Sequence, residues 1–437
     1  MRKQTCWLCA ALILAVAVTA QSISAQEYTS RMEVVQNAEL RQDFTIQGEY
    51  LTEVDGYKVG MHLIADGGGK FRVVAYPGGL PGDGWNAGQP RMLGTATVTG
   101  EEIAFNMTEG RGTATDQSIV MPEKVEAKGK VTIETPQRGQ GGAGQGGGTP
   151  RQGAGQFRGN PVKIELPASG GMPAMTFEKQ NRRSPTLGQA APAGAVVIFD
   201  GTNLDKFQPG ARMNEPQQRA GGGDGNAQQR PGAGNTLWAE AATTAFEKRP
   251  YKMHLEFMLS YMPQARGQAR SNSGVYIDER YECQVLDSFG LEGLDNECGG
   301  FYQFSKPLVN MCFPPLTWQT YDFEFTPAKY NGDQKTANAR ITVVHNGVVI
   351  HKDLELPKNT PGRKDEGPEP LGVYLQGHGN KVQYRNIWVQ YVDEPTAQVQ
   401  PVQTDTPAEA SAVESTQRDR RAAVPAQRQT LQRRAPR

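Results

Sequence analysis

The sequence has 437 residues, enough for roughly two or three domains, and its 46 lysines and arginines equal its 46 aspartates and glutamates. This balance gives no support for a protein that binds nucleic acid or a charged membrane surface. The 51 glycines, 29 prolines and hydrophobic content of only 37% exclude a chain that is globular throughout, because segments of that composition bury too little apolar surface to offset their ordering entropy.

Residues 1–25 are typical of a signal peptide. Arg2 and Lys3 give a basic start, an apolar run follows, and small residues precede Gln26. The apolar run is shorter than the ~20 residues that a membrane span needs. We therefore expect cleavage before Gln26, a secreted or periplasmic mature protein, and no membrane span.

Residues 27–135 are predicted to form a small β domain. Apolar and polar residues alternate in several short segments, and Asp-Gly-Gly-Gly between the first two is typical of a hairpin turn. The expected strands are 57–64, 70–76, 95–99 and 102–107.

Three segments have a composition typical of linkers or tails. Residues 136–192 form a Gly/Gln-rich linker region, and a low-complexity insertion at 209–234 should loop out from the domain that follows. Residues 394–437 are predicted to be a disordered tail, and its last 20 residues contain seven arginines and one acid, Asp419. The alternative is an arm that binds an acidic cell-surface polymer.

Residues 193–393 are predicted to form an all-β domain. Short alternating segments recur between turn signals, and Asn346-Gly347 is typical of a type I′ hairpin turn. No amphipathic helix is apparent. This pattern predicts a two-sheet sandwich or jelly roll, with strands expected at 196–199, 251–261, 273–277, 280–286, 318–326, 340–351, 371–376 and 382–392.

Polar side chains occur at a spacing of two in several of these strands, as on a sheet face that lines a sugar-binding groove. Glu282 and Gln284 share one face of their strand, and Gly274 leaves space for a ligand between Asn272 and Tyr276. The further polar candidates are Gln376, His378 and Glu256.

Six motifs resemble, in order, the 3-keto-disaccharide hydrolase domain family. They occupy residues 199–204, 272–276, 281–288, 318–322, 377–379 and 384–388. The resemblance implies a concanavalin A-like jelly roll, in agreement with the strand pattern. It also implies an enzyme that cleaves glycosidic bonds of 3-keto-glycosides, with a carbohydrate as the partner.

The implied reaction needs a base, an acid and a group that stabilises an enolate. A ketone at C3 acidifies the C2 proton, the enolate expels the C1 substituent, and water adds back. His378 is the first candidate for base or acid because imidazole titrates near neutral pH, and Glu282 is the alternative base. Asn272 and Gln284 would bind sugar hydroxyls, as would Gln376, Tyr276 and Glu256.

A divalent cation on Glu282, Asp287 or His378 would also stabilise the enolate, although the sequence has no dedicated metal motif. Asp287 lies five residues after Glu282, so strict alternation places it on the opposite face, and a turn-capping role is the alternative.

The remaining histidines and cysteines are given structural roles. His62, His345 and His351 are expected at the surface. Without C-x-x-C spacing, the cysteines of the mature chain do not form a zinc site; Cys298 and Cys312 are the expected disulfide, with Cys283 packed as a small apolar residue.

Two other functions are compatible with a sandwich. A non-catalytic, lectin-like carbohydrate-binding module is the first alternative. A retaining glucanase needs two carboxyl groups about 5 Å apart, and the amide of Gln284, two residues after Glu282, argues against it.

Overall fold

The computed structural model describes residues 25–111, 124–134, 161–169, 172–214 and 235–392. The predicted signal peptide, much of the predicted linker, most of the 209–234 insertion and the tail lie outside these ranges. In the described residues the regular structure is almost entirely β, which confirms the fold class. No helix there is long and apolar enough to cross a membrane.

Two short helices that the sequence analysis did not predict precede the first strand: α1 (Arg31–Gln36) and α2 (Ala38–Ile46). The Ser30 side chain accepts the backbone N–H of Glu33, and the Asn37 side chain accepts that of Glu39, so each helix has an N-terminal cap. Their apolar side chains pack in the core of the barrel that follows.

Eight antiparallel strands close into a barrel. The first ten strands in chain order are β1 (Gly48–Val54), β2 (Tyr57–Gly67), β3 (Lys70–Pro77), β4 (Leu80–Pro81), β5 (Gly84–Trp85), β6 (Arg91–Thr99), β7 (Glu102–Arg111), β8 (Val125–Ile133), β9 (Val162–Leu166) and β10 (Met175–Gln180). The barrel has the order β1-β10-β9-β8-β7-β6-β3-β2. Strands β4 and β5 form a separate two-stranded ribbon. All four strands predicted in this part are present.

The expected boundary between the small domain and the linker at residue 135 is wrong. Strands β9 and β10 lie within the predicted linker region 136–192, and β10 pairs with both β9 and β1. The barrel therefore extends to Gln180, and its last two strands follow a segment whose Gly/Gln-rich composition hides them.

Most of the remaining strands form a two-sheet sandwich, as predicted, while the jelly-roll connectivity stays a prediction. The two short strands within 329–337 form a separate two-stranded ribbon. Fourteen strands follow the barrel in the part of the chain that the structure describes. They are β11 (Val196–Phe199), β12 (Met213–Asn214), β13 (Thr236–Trp238), β14 (Ala241–Ala242), β15 (Tyr251–Met258), β16 (Ser273–Ile277), β17 (Tyr281–Val285), β18 (Trp318–Thr326), β19 (Lys329–Asn331), β20 (Gln334–Ala337), β21 (Ala339–His345), β22 (Val348–Leu356), β23 (Tyr374–Leu375) and β24 (Gln383–Tyr391).

The larger sheet has the order β12-β13-β24-β15-β18-β21-β22, with β11 also on β24, and the smaller sheet has the order β14-β23-β16-β17. Apolar side chains of both sheets share one core, among them Phe257 and Val275. The predicted hairpin is confirmed, since Asn346 and Gly347 have φ angles of 50° and 84° between β21 and β22.

The barrel and the sandwich belong to one compact unit. Tyr28 and Tyr261 exchange backbone hydrogen bonds across the two parts, and the His62 ring stacks on that of Phe289, with centroids 4.5 Å apart. His62 was expected at the surface and is instead buried at this joint.

The sandwich interior contains histidines and cysteines whose surroundings differ from those predicted. His345 and His351 are buried, although they were expected to be solvated. Cys283, Cys298 and Cys312 are all buried free thiols, so the predicted disulfide is wrong. The Cys298 thiol lies 3.2 Å from the Tyr321 hydroxyl instead.

The joint between barrel and sandwich predicts the effect of substituting Gly290. This residue has a φ of +73°, and a Cβ on it would lie 2.6 Å from Ile64 Cδ1, which is itself buried. Gly188 has a similar φ of +81° and open space around it. We expect Gly188→Ala to lower the free energy of unfolding by about 1 kcal/mol, and Gly290→Ala by about 1–3 kcal/mol more, in urea titrations. Equal losses would contradict a tightly packed joint.

Candidate active site

The smaller sheet presents a polar face on the side away from the shared core. Tyr276 is paired directly with Glu282, and Gly274 with Gln284, across β16 and β17. Directly opposed residues point to the same side of a sheet, so these side chains share one face with Asn272, two residues before Gly274. The geometry predicted for these strands is therefore present.

Glu282 is the central acidic group of this face and is only 2% exposed. Tyr276 donates its hydroxyl hydrogen to Glu282 Oε2 at 2.9 Å. Glu282 Oε1 lies against Gly274, where any Cβ would collide with it. Burial raises the pKa of Glu282 to about 7, and the hydrogen bond from Tyr276 opposes this only in part.

The hydroxyl of Tyr276 has partners for both protonation states of Glu282. Its oxygen is 2.9 Å from Glu282 Oε2 and 2.9 Å from the Pro361 carbonyl oxygen, and it has one hydrogen to donate. A charged Glu282 accepts that hydrogen. A protonated Glu282 donates its own hydrogen to the Tyr276 oxygen, and Tyr276 then donates to Pro361. Proton gain or loss at Glu282 thus leaves no unpaired hydrogen.

Amide side chains extend the polar face beyond Glu282. The side-chain nitrogens of Asn272 and Gln284 both donate to Gln268 Oε1, at 3.2 and 3.3 Å. Gln376 Nε2 donates to the Tyr276 hydroxyl oxygen at 3.4 Å. These three predicted substrate-binding residues and Tyr276 therefore lie around Glu282.

The rim of the site contains aromatic side chains and one exposed histidine. The Tyr374 ring lies 6.0 Å from that of Tyr276 and under the Arg363 guanidinium, at 4.0 Å. The half-buried Tyr302 donates its backbone N–H to the Glu282 carbonyl oxygen at 3.4 Å. His378, the first candidate for the base, is exposed in the loop after β23 and makes no hydrogen bond or ion pair with the described residues.

Glu256 was expected to bind substrate and is not part of this face. It lies on β15 in the other sheet. Arg385 Nε donates to its Oε2 at 2.6 Å, and Gly188 N and Asn386 Nδ2 donate to its Oε1. Burial would raise the pKa of Glu256, but the hydrogen bond from His254 and the charge of Arg385 hold it at about 2. Its role is structural.

Asp287, the candidate metal ligand, forms a buried ion pair instead. Its Oδ2 accepts from Arg270 Nε at 2.7 Å, and its Oδ1 lies 3.4 Å from the backbone nitrogen of Phe289. The alternative turn-capping role agrees with this geometry. No cluster of three or more histidine, cysteine, aspartate or glutamate residues that could hold a metal ion occurs in the ranges that the structure describes.

Two residues of the site were missed by the sequence analysis. Gln268 lies in a short 3₁₀ turn, Gly267–Ala269, and Thr360 accepts the backbone N–H of Glu282 at 2.8 Å from a loop 78 residues later. Both are in irregular segments, where no periodicity marks the side of the chain that faces the site. No sequence signal separates them from other loop residues.

The match to one family model agrees with the carbohydrate hypothesis. A family model described as a 3-keto-alpha-glucoside-1,2-lyase-like domain matches residues 194–390, which is less than half of the chain and contains nearly all residues of the sandwich strands. No curated protein matches the chain.

Three solved structures resemble the chain at low sequence identity. Two Parabacteroides distasonis proteins, each described as a "putative glycosyl hydrolase", are 23% and 14% identical. The two matches cover 46% and 48% of this chain and 86% and 95% of the Parabacteroides chains, and their TM-scores are 0.36 and 0.24. A Trypanosoma rangeli sialidase is 8% identical over 78% of this chain and 60% of its own, with a TM-score of 0.25. These likenesses have TM-scores below 0.5 and carry no argument about this chain.

The raised pKa of Glu282 predicts how stability depends on pH. Its pKa rises from 4.5 to about 7 on folding. The folded state therefore binds the proton more tightly, and stability is lost as the pH rises from 4.5 through 7. Each pKa unit corresponds to ~1.4 kcal/mol, so the penalty at pH 8 is about 3 kcal/mol.

Glu282→Gln removes this penalty. In urea titrations, the free energy of unfolding of the variant minus that of wild type should therefore be about 3 kcal/mol larger at pH 8 than at pH 4.5. Glu256→Gln is the control of opposite sign. The pKa of Glu256 is lowered to about 2, so its charged form stabilises the fold above pH 4.5, and the variant should be less stable than wild type at neutral pH. Parallel curves for wild type and Glu282→Gln would contradict the assignment.

Proposed function

The chain contains a 3-keto-alpha-glucoside-1,2-lyase-like domain at residues 194–390, and on that premise we propose that it cleaves 3-keto-glycosides by eliminating the C1 substituent after proton removal at C2. The family supports a glycosidase-like function in general. The specific reaction is our proposal, and the geometry around Glu282 supports it.

Glu282 is the proposed base. A catalytic base works best when its pKa is near the working pH, and burial brings the pKa of this carboxyl to about 7. Among the polar groups of the face, it alone combines this pKa with a position directly opposite Tyr276, whose hydroxyl links it to Gln376. This is the single observation on which the proposal depends.

Glu282 alone can carry out both proton transfers of the elimination. Its carboxylate takes the C2 proton, the C2–H electron pair forms the enolate, and the C1–O bond breaks as the C1=C2 double bond forms. The protonated Glu282 then gives its proton to the leaving oxygen, which regenerates the carboxylate. Addition of water across the new double bond completes a net hydrolysis. Tyr276 serves both states of Glu282, because its hydroxyl has two alternative acceptors.

The enolate oxygen at C3 needs a hydrogen-bond donor. Gln376 has an amide nitrogen 3.4 Å from the Tyr276 hydroxyl oxygen and is half-buried at the edge of the face. We assign it this role. An oriented neutral donor in a site that excludes water stabilises developing negative charge without reorganisation during the reaction. The exposed His378 is then a residue of the entrance, and not the base.

Export is the second part of the proposal. The sequence pattern of a signal peptide at residues 1–25 supports export. An exported enzyme would meet extracellular or periplasmic carbohydrates. Activity in culture fractions, together with N-terminal sequencing of the mature chain, tests this part; a mature chain that retains residues 1–25 would contradict it.

Turnover tests the catalytic assignment. Purified protein is incubated with a chromogenic 3-keto-glucoside, and release of the aglycone is followed. We expect Glu282→Gln to lower kcat by about a hundredfold or more, since general bases contribute ~10²–10⁴-fold. Glu297→Gln is the matched control, because Glu297 is a buried glutamate that accepts the N–H groups of Gly293 and Leu294. That variant should keep wild-type turnover.

The pH profile gives an independent test. If Glu282 acts as a base in the free enzyme, kcat/KM should fall tenfold for each pH unit below about 7, the pKa of this group. A profile that is flat from pH 5 to pH 8 would exclude Glu282 as the base.

The remaining outcomes separate the alternatives. His378→Ala should lower kcat less than Glu282→Gln does. The reverse order would return the role of base to the histidine. Absence of product from wild type, with retained binding of the intact sugar, would favour the non-catalytic lectin-like module.

A further inference from the structure

The Gln268 amide is held in one orientation by a backbone group. Its Nε2 donates to the Asn296 carbonyl oxygen at 2.7 Å. A carbonyl oxygen accepts hydrogen bonds only, so the amide nitrogen must face Asn296. The Gln268 Oε1 atom is therefore turned towards the polar face of the smaller sheet.

This orientation fixes two more amides. Gln284 Nε2 and Asn272 Nδ2 donate to Gln268 Oε1, at 3.3 and 3.2 Å. Asn272 Nδ2 also donates to the Gln268 backbone carbonyl oxygen at 2.9 Å. Reversing either amide would bring two oxygens together, so each must turn its nitrogen to Gln268 and its own oxygen away from it.

The result is a pair of buried acceptors without donors. Asn272 Oδ1 and Gln284 Oε1 have no hydrogen-bond partner, although the two residues are only 1% and 3% exposed. Buried polar atoms are normally paired, and leaving them unpaired is costly. Both residues share the sheet face of Glu282, as the pairing of β16 with β17 requires.

We propose that Gln268 is a positioning residue that sets the polarity of this face, so that Asn272 Oδ1 and Gln284 Oε1 accept hydrogen bonds from two free hydroxyl groups of the sugar. Ether and ketone oxygens have no hydrogen to donate. The pair therefore selects unmodified hydroxyls and directs a ketone elsewhere on the face. The inference rests on the proposed function only in taking the ligand to be a carbohydrate.

The loop that holds Gln268 is anchored from both ends. Arg270, two residues later, is tied to Asp287 by the buried ion pair and donates from Nη1 to the carbonyl oxygens of Pro263 and Ala265, both at 3.4 Å. Loss of one partner of a buried ion pair is strongly destabilising. Asp287, the former metal candidate, thus acts on the site at a distance, by fixing the loop.

The test measures binding, without any chemistry. Methyl α-D-glucoside and its 2-, 3-, 4- and 6-deoxy analogues are titrated into the full-length protein by calorimetry. For wild type we expect two of the analogues to bind about tenfold to a hundredfold more weakly than the parent, the usual effect of leaving a buried acceptor unpaired. In Gln268→Leu, this discrimination should shrink to less than about threefold.

Matched variants separate positioning from general damage. Gln264→Leu changes an exposed glutamine of the same loop and should keep the wild-type ratios. Gln268→Glu keeps an acceptor for Gln284 and Asn272 but loses the donor that holds the side chain on the Asn296 carbonyl oxygen. Its discrimination should therefore fall between that of wild type and the loss expected of Gln268→Leu, which gives a measurement even if Gln268→Leu is too unstable to assay. Gln284→Leu should abolish the penalty for one deoxy analogue only.

Three results would overturn the inference: equal affinity of wild type for all analogues, no binding of the parent glucoside, or unchanged ratios in a folded Gln268→Leu. Binding of Ca²⁺ to wild type in the absence of sugar, lost in Gln284→Leu, would also overturn it by making the oxygens ion ligands. None of these results depends on turnover of a 3-keto-glucoside. Failure of the proposed reaction can therefore be distinguished from failure of this inference about Gln268.

Discussion

A carboxyl group buried without a cation is the constraint around which the site is organised. The protein contains other buried glutamates, and comparison with them is informative. Burial alone would raise the pKa of Glu49 and of Glu256. For Glu49, the hydrogen bond and charge of Arg182 hold the pKa at about 2 instead. For Glu256, the hydrogen bond from His254 and the charge of Arg385 also hold the pKa at about 2. For Glu282 the partner that opposes burial is a neutral tyrosine, and its pKa is about 7. Two of the three are thus permanent anions of the scaffold, and the third can exchange a proton.

The absence of a side chain at Gly274 makes this arrangement possible. The Glu282 carboxyl occupies the space that a Cβ would need, so the carboxyl can lie flat on the sheet beneath the loops that cover it. Those loops supply a backbone carbonyl for Tyr276 and a hydroxyl for the Glu282 N–H. A larger residue on β16 would push the carboxyl towards solvent, where its pKa would return towards the ordinary value.

The parts of the site that the sequence predicts are those set by local geometry. Alternation along β17 places Glu282 and Gln284 on one face because side chains of a strand alternate with a period of two, and the Asn346-Gly347 turn follows from the φ angles that these residues tolerate. The contribution of Gln268 depends on contacts with Asn296 and Gln284 in distant parts of the chain, which no local pattern encodes.

Burial is the property that the sequence predicted least well. His378 was preferred as base on the ordinary titration range of imidazole, yet it is exposed in a loop, while Glu282 acquires a similar range through burial. His62, His345 and His351 were expected in solvent and lie inside. The free energy of ionisation depends on the three-dimensional surroundings of a group, and these are decided by packing between segments far apart in sequence.

Closure of the barrel by β9 and β10 has a consequence for biosynthesis. A nascent chain that has emerged only as far as β8 has the strands for three quarters of the barrel, with the free edges of β1 and β8 still unpaired. Unpaired strand edges are templates for association with other chains. Residues up to Gln180 must be present on the side of the membrane where the barrel folds before these edges are covered. A chaperone would therefore be most useful while the Gly/Gln-rich stretch is still arriving there.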